Sequence, residues 1–278
     1  MPEMKKKYTA LLELLKAYAP FHLAFSGGVD SRFLAHAARQ AKAAFTAVHI
    51  AGPHVPRLDT EAALAWLERR GIAAVVVQFD PLVLDEVRRG TKNRCYQCKL
   101  EIFRLIRARA GLQPVAEGSN ASDKMKFRPG ARALQELGIL SPLAEVGLGK
   151  PEIRSLAGHI GLEQPDQPSR PCLLTRFDYG LSPDKELLQR LASAENAIAT
   201  LGFKNFRMRI FRDEAPILQI DWQESRKLEE VRSKLEQLLA GYGFPEAKIH
   251  TEFEISGFFD RKGHEQQLDG LAMLKDLF

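Results

Sequence analysis

The sequence has little cysteine and no long apolar stretch. Its 278 residues include three cysteines, and this odd number excludes a fully paired disulfide framework and points to reactive or metal-binding thiols. An apolar run such as Ala73–Val77 is far shorter than the roughly 18 residues that cross a bilayer. Glu13 and Lys16 interrupt the leucines near the N-terminus, so we interpret this stretch as an amphipathic helix rather than a signal peptide. We therefore expect a cytoplasmic protein without a membrane partner.

The composition is that of an ordinary globular protein with a mildly basic surface. Hydrophobic residues make up 45% of the chain and charged residues 27%. The net charge of +5 permits an anionic partner without demanding one. Because the longest basic run, Lys5–Lys7, is short, a nucleic acid is not the expected partner.

Short apolar runs alternate with helical patterns over the first 180 residues. Strands are predicted at Phe21–Phe25, Ala44–Ile50, Ala73–Val77, around Val115 and at Ile139–Leu143. Strands separated by helices are typical of parallel βαβ units. We therefore predict an α/β domain over residues 1–180, with a parallel sheet that carries helices on both faces. The strand and helix patterns of residues 181–278 predict a small α+β domain.

The segment Ser26–Ser31, SGGVDS, lies where the first predicted strand turns into a helix. Gly27 and Gly28 let the backbone approach an anion closely, and a helix N-terminus favours negative charge. Ser26 and Ser31 add hydroxyl groups, while Asp30 is suited to bind Mg²⁺. The segment matches neither the Walker loop nor the dinucleotide-binding fingerprint, so it predicts a phosphate-binding loop of another kind.

The three cysteines lie in two polar segments. Cys95 and Cys98 form a CxxC pair next to a predicted helix, where amide groups, Arg94 and Lys99 are expected to lower the thiol pKa values. Cys172 follows a proline-rich loop. A zinc site, a redox pair and a 4Fe–4S cluster with one open iron are three interpretations of these thiols. The cluster uses all three cysteines, and its open iron could hold an extra sulfide.

The motifs resemble those of known ATP-dependent enzymes. SGGVDS is similar to the pyrophosphate loop (PP-loop) of the N-type ATP pyrophosphatases, and this resemblance implies the adenine nucleotide alpha hydrolase-like fold. Five segments resemble the LarE family of sulfur transferases: SGGVDS, NRCYQCK, EGSNASD, SPLAEVGLGKPEIRSLA and SRPCLLTRFDYG, in this order. The resemblance covers about Phe21–Tyr179 and continues more weakly through Phe206–Arg209.

The LarE resemblance implies a reaction and its site. ATP adenylates a carboxylate of a small nucleotide, pyridinium-3,5-biscarboxylic acid mononucleotide, and a sulfur then replaces oxygen for nickel-pincer nucleotide biosynthesis. Cys172 supplies the sulfur in sacrificial members, whereas members with the CxxC pair carry a 4Fe–4S cluster. The implied ATP residues are Ser26, Gly27, Gly28, Asp30 and Ser31, with Asp30 on Mg²⁺; the implied cluster ligands are Cys95, Cys98 and Cys172.

The resemblance also places a set of arginines at the substrate. Arg207 and Arg209 are implied to contact the phosphate of the mononucleotide, and Glu195 is implied to lie beside Cys172. From their chemistry, Arg128, Arg170 and Arg176 are candidates for a clamp on phosphate or carboxylate. The sulfur donor is not specified by the sequence, and a homo-oligomer is a family expectation.

The sequence departs from the family in one segment. Members commonly read GTNADD, with a further acid before RPG, whereas Ser122 and Lys126 stand here in place of two acids. If those acids shape the substrate pocket, their replacement predicts a different or more anionic acceptor. Two enzymes of the same superfamily, a cluster-dependent tRNA thiolase and an ammonia-dependent amidase of the NAD synthetase type, are alternatives. A nucleotide-binding regulatory module without turnover is another.

Overall fold

The computed structural model describes residues 2–125 and 129–261. These residues form two compact units. The first combines the residues up to Arg88 with Lys92–Cys172, and the second combines Arg89–Thr91 with the residues from Leu173 onward. The domain boundary predicted at residue 180 lies inside the second unit and stays a prediction. Among the described residues, no helix is long and apolar enough to cross a membrane.

A four-stranded parallel sheet forms the centre of the first unit. Its strands are β1 (Phe21–Ala24), β2 (Phe45–Ala51), β3 (Ala74–Gln78) and β4 (Val115–Ala116), in the order β3-β2-β1-β4. All three pairs of neighbouring strands are parallel. The strand predicted at Ile139–Leu143 is wrong, because Leu140 makes only an isolated bridge to Ala116 and a helix begins at Pro142.

Eight helices of the first unit surround this sheet in the part of the chain that the structure describes. They are α1 (Pro2–Tyr18), α2 (Val29–Gln40), α3 (Arg57–Glu68), α4 (Asp85–Arg88), α5 (Arg94–Ala110), α6 (Pro129–Glu136), α7 (Pro142–Glu145) and α8 (Lys150–His159). Helix α5 begins at Arg94, so Cys95 and Cys98 lie within its first five residues rather than before the helix.

Apolar side chains pack on both faces of the sheet. Leu11, Phe33 and Ile153, from α1, α2 and α8, belong to one fully buried cluster. Phe103 and Ile106, from α5, belong to a second cluster. Burial of such side chains is the main source of folding free energy. The predicted α/β fold, with helices on both faces of a parallel sheet, is confirmed.

The second unit contains a three-stranded mixed sheet and two long helices. Its elements are α9 (Lys185–Thr200), β5 (Phe206–Arg209), β6 (Ile217–Asp221), α10 (Ser225–Gly241) and β7 (Lys248–Glu252). Strand β6 pairs antiparallel with β5 and parallel with β7. The predicted small α+β domain is confirmed in its fold class.

A buried ion pair lies in the second unit. The guanidinium group of Arg176 donates from Nε and one terminal nitrogen to the two carboxylate oxygens of Glu195, both at 2.9 Å. The side chains of Arg176 and Glu195 are 3% and 2% exposed. The backbone N–H of Met208 also donates to Glu195, at 3.1 Å. This carboxylate therefore ties α9 to β5 and to the turn that contains Arg176.

We predict that Glu195→Gln destabilises the protein by about 3 kcal/mol or more, because Arg176 keeps a buried charge without its counter-ion. Glu230→Gln is the matched control, since Glu230 forms an exposed pair with Arg226. Its loss is expected to cost less than about 1 kcal/mol. Urea denaturation of both variants measures the difference. Equal losses of stability would contradict this role of the buried pair.

Candidate functional site

The loop that follows β1 makes a tight turn into α2. Gly27 has a φ of +78°, a conformation that side chains disfavour. A Cβ atom at Gly27 would lie 2.9 Å from the Cβ of Ala63 on α3. Glycine is therefore required at this position by both backbone conformation and packing, and α2 begins two residues later, at Val29.

Two hydroxyl groups lie together at the start of α2. The Oγ atoms of Ser26 and Ser31 are 3.3 Å apart, and Ser31 Oγ donates to the carbonyl oxygen of Gly28 at 3.0 Å. The first N–H groups of a helix have no intrahelical acceptor, and its dipole is positive at this end. This loop therefore has the chemistry of an anion site, as predicted from its sequence.

Asp30 forms an ion pair that the sequence analysis missed. Nζ of Lys150, the first residue of α8, lies 2.6 Å from Oδ2 of Asp30, and both side chains are about one-quarter exposed, at 27% and 25%. The carboxylate thus already faces a cation. Oxygen donors of this kind suit Mg²⁺, so Asp30 fits the metal expected with a nucleotide. Lys150 lies in SPLAEVGLGKPEIRSLA, one of the five segments that resemble the LarE family. This resemblance was the sequence feature that could have pointed to Lys150.

The segment after β4 packs against the same loop. A Cβ at Gly118 would lie 3.2 Å from the backbone nitrogen of Ser31. The hydroxyl group of Ser122 accepts a hydrogen bond from the backbone N–H of Lys150 at 2.9 Å. Ser122, one of the two departures from the family pattern, therefore helps to hold the start of α8. The other departure, Lys126, and the predicted clamp residue Arg128 lie outside the described residues.

His49 is a second residue that the sequence analysis did not single out. It is buried on β2, and its Nδ1 lies 2.9 Å from the carbonyl oxygen of Phe25, while its Nε2 lies 3.1 Å from the hydroxyl group of Thr60. Since a carbonyl only accepts, Nδ1 carries the proton and Nε2 accepts from Thr60. Burial lowers the pKa of His49, which favours this neutral form. His49 therefore fixes the end of β1 against α3.

The thiols of Cys95 and Cys172 lie close enough to Cys98 to affect its ionisation. Cys98 is buried, whereas Cys95 and Cys172 are partly exposed, and none of the three forms a disulfide. Burial raises the pKa of the Cys98 thiol, and the charges of Cys172 and Cys95 raise it further, against a smaller opposite effect of Lys99. The expected lowering of the thiol pKa is therefore wrong for Cys98, because desolvation outweighs the nearby cation.

We call Cys95, Cys98 and Cys172 the three-thiol group. Among the described residues, no three His, Cys, Asp or Glu side chains are placed as ligands of a metal ion. The chemistry of the group nevertheless fits an iron–sulfur cluster, since its donors are soft thiols and the buried Cys98 is protonated unless a metal or cation favours its thiolate. The residue types fit, whereas their placement is not that of a formed cluster site.

Arg170 pairs with an acid of the first unit. One of its terminal nitrogens lies 3.1 Å from Oδ1 of Asp59, in the first turn of α3. Arg176 is engaged by Glu195, which lies in the second unit, and the predicted place of Glu195 beside Cys172 stays a prediction. The roles of Arg170 and Arg176 as a substrate clamp also stay predictions.

Arg207 and Arg209 lie on β5 and are buried. Arg209 donates from Nε to Oε1 of Gln219 at 2.6 Å, and both arginines donate to the carbonyl oxygen of Ile255. Burial and repulsion from neighbouring arginines lower the pKa to about 10 for Arg207 and to about 9 for Arg209. The predicted contact of Arg207 and Arg209 with a phosphate stays a prediction.

Comparisons with known proteins find similar chains in bacteria and an archaeon. No family model matches the chain. It is 34% identical to the uncharacterized protein slr1717 of Synechocystis over 247 residues, which are 86% of this chain and 91% of the relative. It is 25% identical to the uncharacterized protein MJ0830 of Methanocaldococcus jannaschii, over 83% of this chain and 88% of the relative.

A third relative is named for an enzymatic activity. The pyridinium-3,5-bisthiocarboxylic acid mononucleotide synthase of Lactiplantibacillus plantarum is 28% identical to this chain over 231 residues. The match covers 81% of this chain and 83% of the relative.

We predict that Cys98 reacts slowly with iodoacetamide. Because its thiol pKa is raised, the thiolate stays scarce at pH 8.5, near the ordinary thiol pKa of about 8.5. At pH 8.5 the expected rate is at least about tenfold below that of a cysteine in a short peptide. Above pH 8.5 the rate at Cys98 is expected to keep rising, because its thiolate still forms there. Timed alkylation followed by peptide mass mapping measures it. Reaction of Cys98 at the peptide rate would contradict the raised pKa.

Proposed function

The chain belongs to the family of the Synechocystis protein slr1717, and from this premise we propose that it is an ATP-dependent sulfur transferase that acts on a carboxylate of a small nucleotide. The observation that carries the proposal is that one compact unit contains both the Ser26–Ser31 loop and the three-thiol group. The activity for which the Lactiplantibacillus plantarum relative is named supports the same chemistry.

The proposed substrate is pyridinium-3,5-biscarboxylic acid mononucleotide. The name of the Lactiplantibacillus plantarum relative and the resemblance to the LarE family support this choice. The buried Arg207 and Arg209 would bind its phosphate, because guanidinium groups bind phosphate through two parallel hydrogen bonds. Ser122 differs from the family pattern, and it accepts a hydrogen bond from the backbone N–H of Lys150, the residue whose side chain pairs with Asp30.

The first step activates the carboxylate. One carboxylate oxygen attacks the α-phosphorus of ATP, the bond from that phosphorus to the bridging oxygen breaks, and pyrophosphate leaves with the electron pair. The Ser26–Ser31 loop would hold the phosphates. Asp30 would hold Mg²⁺, which neutralises charge on the leaving group when bound. Lys150 lies beside Asp30 and supplies a further positive charge there.

The second step replaces oxygen with sulfur. A sulfur nucleophile attacks the acyl carbon of the adenylate, the bond from carbon to the AMP oxygen breaks, and AMP leaves. Cys95, Cys98 and Cys172 would hold a 4Fe–4S cluster, whose open iron would supply sulfide for this transfer. In the sacrificial alternative, Cys172 Sγ itself attacks; its Cβ–S bond then breaks as the Cα proton is lost, and dehydroalanine remains at residue 172.

We predict that Asp30→Asn lowers pyrophosphate release roughly 100-fold or more, because the metal-bound leaving group loses its carboxylate. The assay mixes the full-length protein with ATP, Mg²⁺ and the biscarboxylate mononucleotide. Asp85→Asn is the matched control, since Asp85 pairs with Arg88 on an exposed helix, and its release rate is expected to stay unchanged. Undiminished release in Asp30→Asn would reject the assigned role of Asp30.

We predict that Cys172→Ser abolishes thiocarboxylate formation while pyrophosphate release in a single turnover continues. The serine hydroxyl group can neither donate sulfur nor bind iron as a thiolate does. Mass spectrometry of the small-molecule product and a pyrophosphate assay on the same sample separate the two steps. Thiocarboxylate formed at the native rate by the variant would exclude Cys172 from sulfur transfer.

A further inference from the structure

The segment that leads to Cys172 has little regular structure of its own. We call residues 163–172 the Cys172 loop; they lie in no helix or strand and include Pro165, Pro168 and Pro171. A segment without a hydrogen-bonded ladder is positioned by contacts from neighbouring elements. The contacts that hold this loop therefore decide where the Cys172 thiol lies within the first unit.

Arg32 makes the most extensive of the described side-chain contacts to this loop. One terminal nitrogen of its guanidinium group donates to the carbonyl oxygen of Glu163 at 3.0 Å. The other donates to Oε1 of Gln167 at 2.6 Å and, more weakly, to the carbonyl oxygen of Gln164 at 3.4 Å. Arg32 is only 5% exposed, so these bonds lie largely out of water.

An ion pair holds the far end of the same loop. Arg170, two residues before Cys172, pairs with Asp59 of α3 at 3.1 Å. Helix α3 also carries Ala63, against which Gly27 packs. Arg32 and Asp59 therefore join the Cys172 loop to α2, which begins at the Ser26–Ser31 turn, and to α3, which packs against that turn.

Arg32 occupies a particular place on α2. It directly follows Ser31, and its backbone N–H makes the first intrahelical bond, to the carbonyl oxygen of Gly28 at 3.0 Å. One helical turn thus presents Ser31 and Asp30 toward the nucleotide site and Arg32 toward the Cys172 loop. A lysine would be a poor substitute, because its single ammonium group lacks the planar fork that reaches separate acceptors.

We propose that Arg32 is a positioning residue that fixes the Cys172 loop to helix α2, so that a nucleotide bound at Ser31 and Asp30 alters the order of that loop. The inference rests on the proposed function for the nucleotide site and for the role of Cys172. It adds a physical link between the two steps, since the same helix turn holds the adenylating loop and the thiol that serves the sulfur step.

Hydrogen exchange of the full-length protein tests this link without turnover. Backbone exchange in residues 163–172 is measured with and without a non-hydrolysable ATP analogue and Mg²⁺. In the native protein, nucleotide is expected to slow this exchange about fivefold or more. In Arg32→Met, exchange in the loop is expected to be faster and independent of nucleotide, while the analogue still binds. Arg107→Met, on the exposed face of α5, is the matched control and should behave as the native protein does.

Further variants keep the test decisive. Gln167→Ala removes one acceptor of Arg32 and replaces Arg32→Met in the test if that variant does not fold. It is expected to reduce the slowing of loop exchange by nucleotide. Arg32→Lys should restore the effect only in part. A nucleotide effect in Arg32→Met or Gln167→Ala equal to that of the native protein, or no effect in the native protein, overturns the inference.

Product ratios separate this inference from the proposed function. Arg32→Met is expected to release more pyrophosphate per thiocarboxylate formed than the native protein does, because the sulfur step loses its positioned thiol. A native ratio in this variant counts against the inference alone. Absence of both products in the native protein counts against the proposed function, whatever the exchange data show.

Discussion

The packing of Gly27 against Ala63 is the contact on which the rest of the site depends. Because a Cβ would lie only 2.9 Å from Ala63, and because φ is +78°, the chain turns here in a way that other residues resist. The turn directs the N-terminus of α2 into the space at the carboxyl end of β1. Ser26 and Ser31 then bring their hydroxyl groups together, and Asp30 faces the start of α8.

The parallel sheet concentrates other groups at this turn. Strand β1 lies between β2 and β4, so the segments that follow all three strands reach the same edge, where open α/β sheets bind ligands. His49 from β2 bonds the carbonyl oxygen of Phe25, and Gly118 after β4 packs on Ser31. The neutral His49 and the small Gly118 thus pack against the loop, while the ion pair of Asp30 and Lys150 provides the charges at this edge of the sheet.

In the three-thiol group, burial rather than nearby charge decides the ionisation of Cys98. Burial makes ionisation of Cys98 unfavourable, and the neighbouring thiols add to this effect. A protein that uses these thiols as ligands therefore needs the metal itself to favour the thiolate form. A raised pKa at Cys98 does not suit a pair of reactive redox thiols, since these depend on lowered pKa values.

Much of the fold and part of the site could be predicted from the sequence. Strands β1, β2 and β3 were correctly predicted because each is a short apolar run that is visible in the sequence. The loop after β1 was correctly predicted because Gly27 and Gly28 mark a turn of the backbone there. The strand expected at Ile139–Leu143 was wrong because Pro142 starts a helix there. Lys150 lies 120 residues from Asp30, and Arg32 reaches a loop more than 130 residues away. Such long-range pairs depend on the tertiary fold, which local patterns do not specify.

The transfer of an oxygen atom from substrate to AMP tests the central claim most directly. The biscarboxylate mononucleotide is labelled with ¹⁸O in its carboxylates and incubated with the protein, ATP and Mg²⁺, and the AMP is analysed by mass spectrometry. If a carboxylate oxygen attacks the α-phosphorus and sulfur then displaces AMP from the acyl carbon, AMP carries ¹⁸O and the product carries sulfur. Unlabelled AMP formed together with the sulfur product would contradict the account.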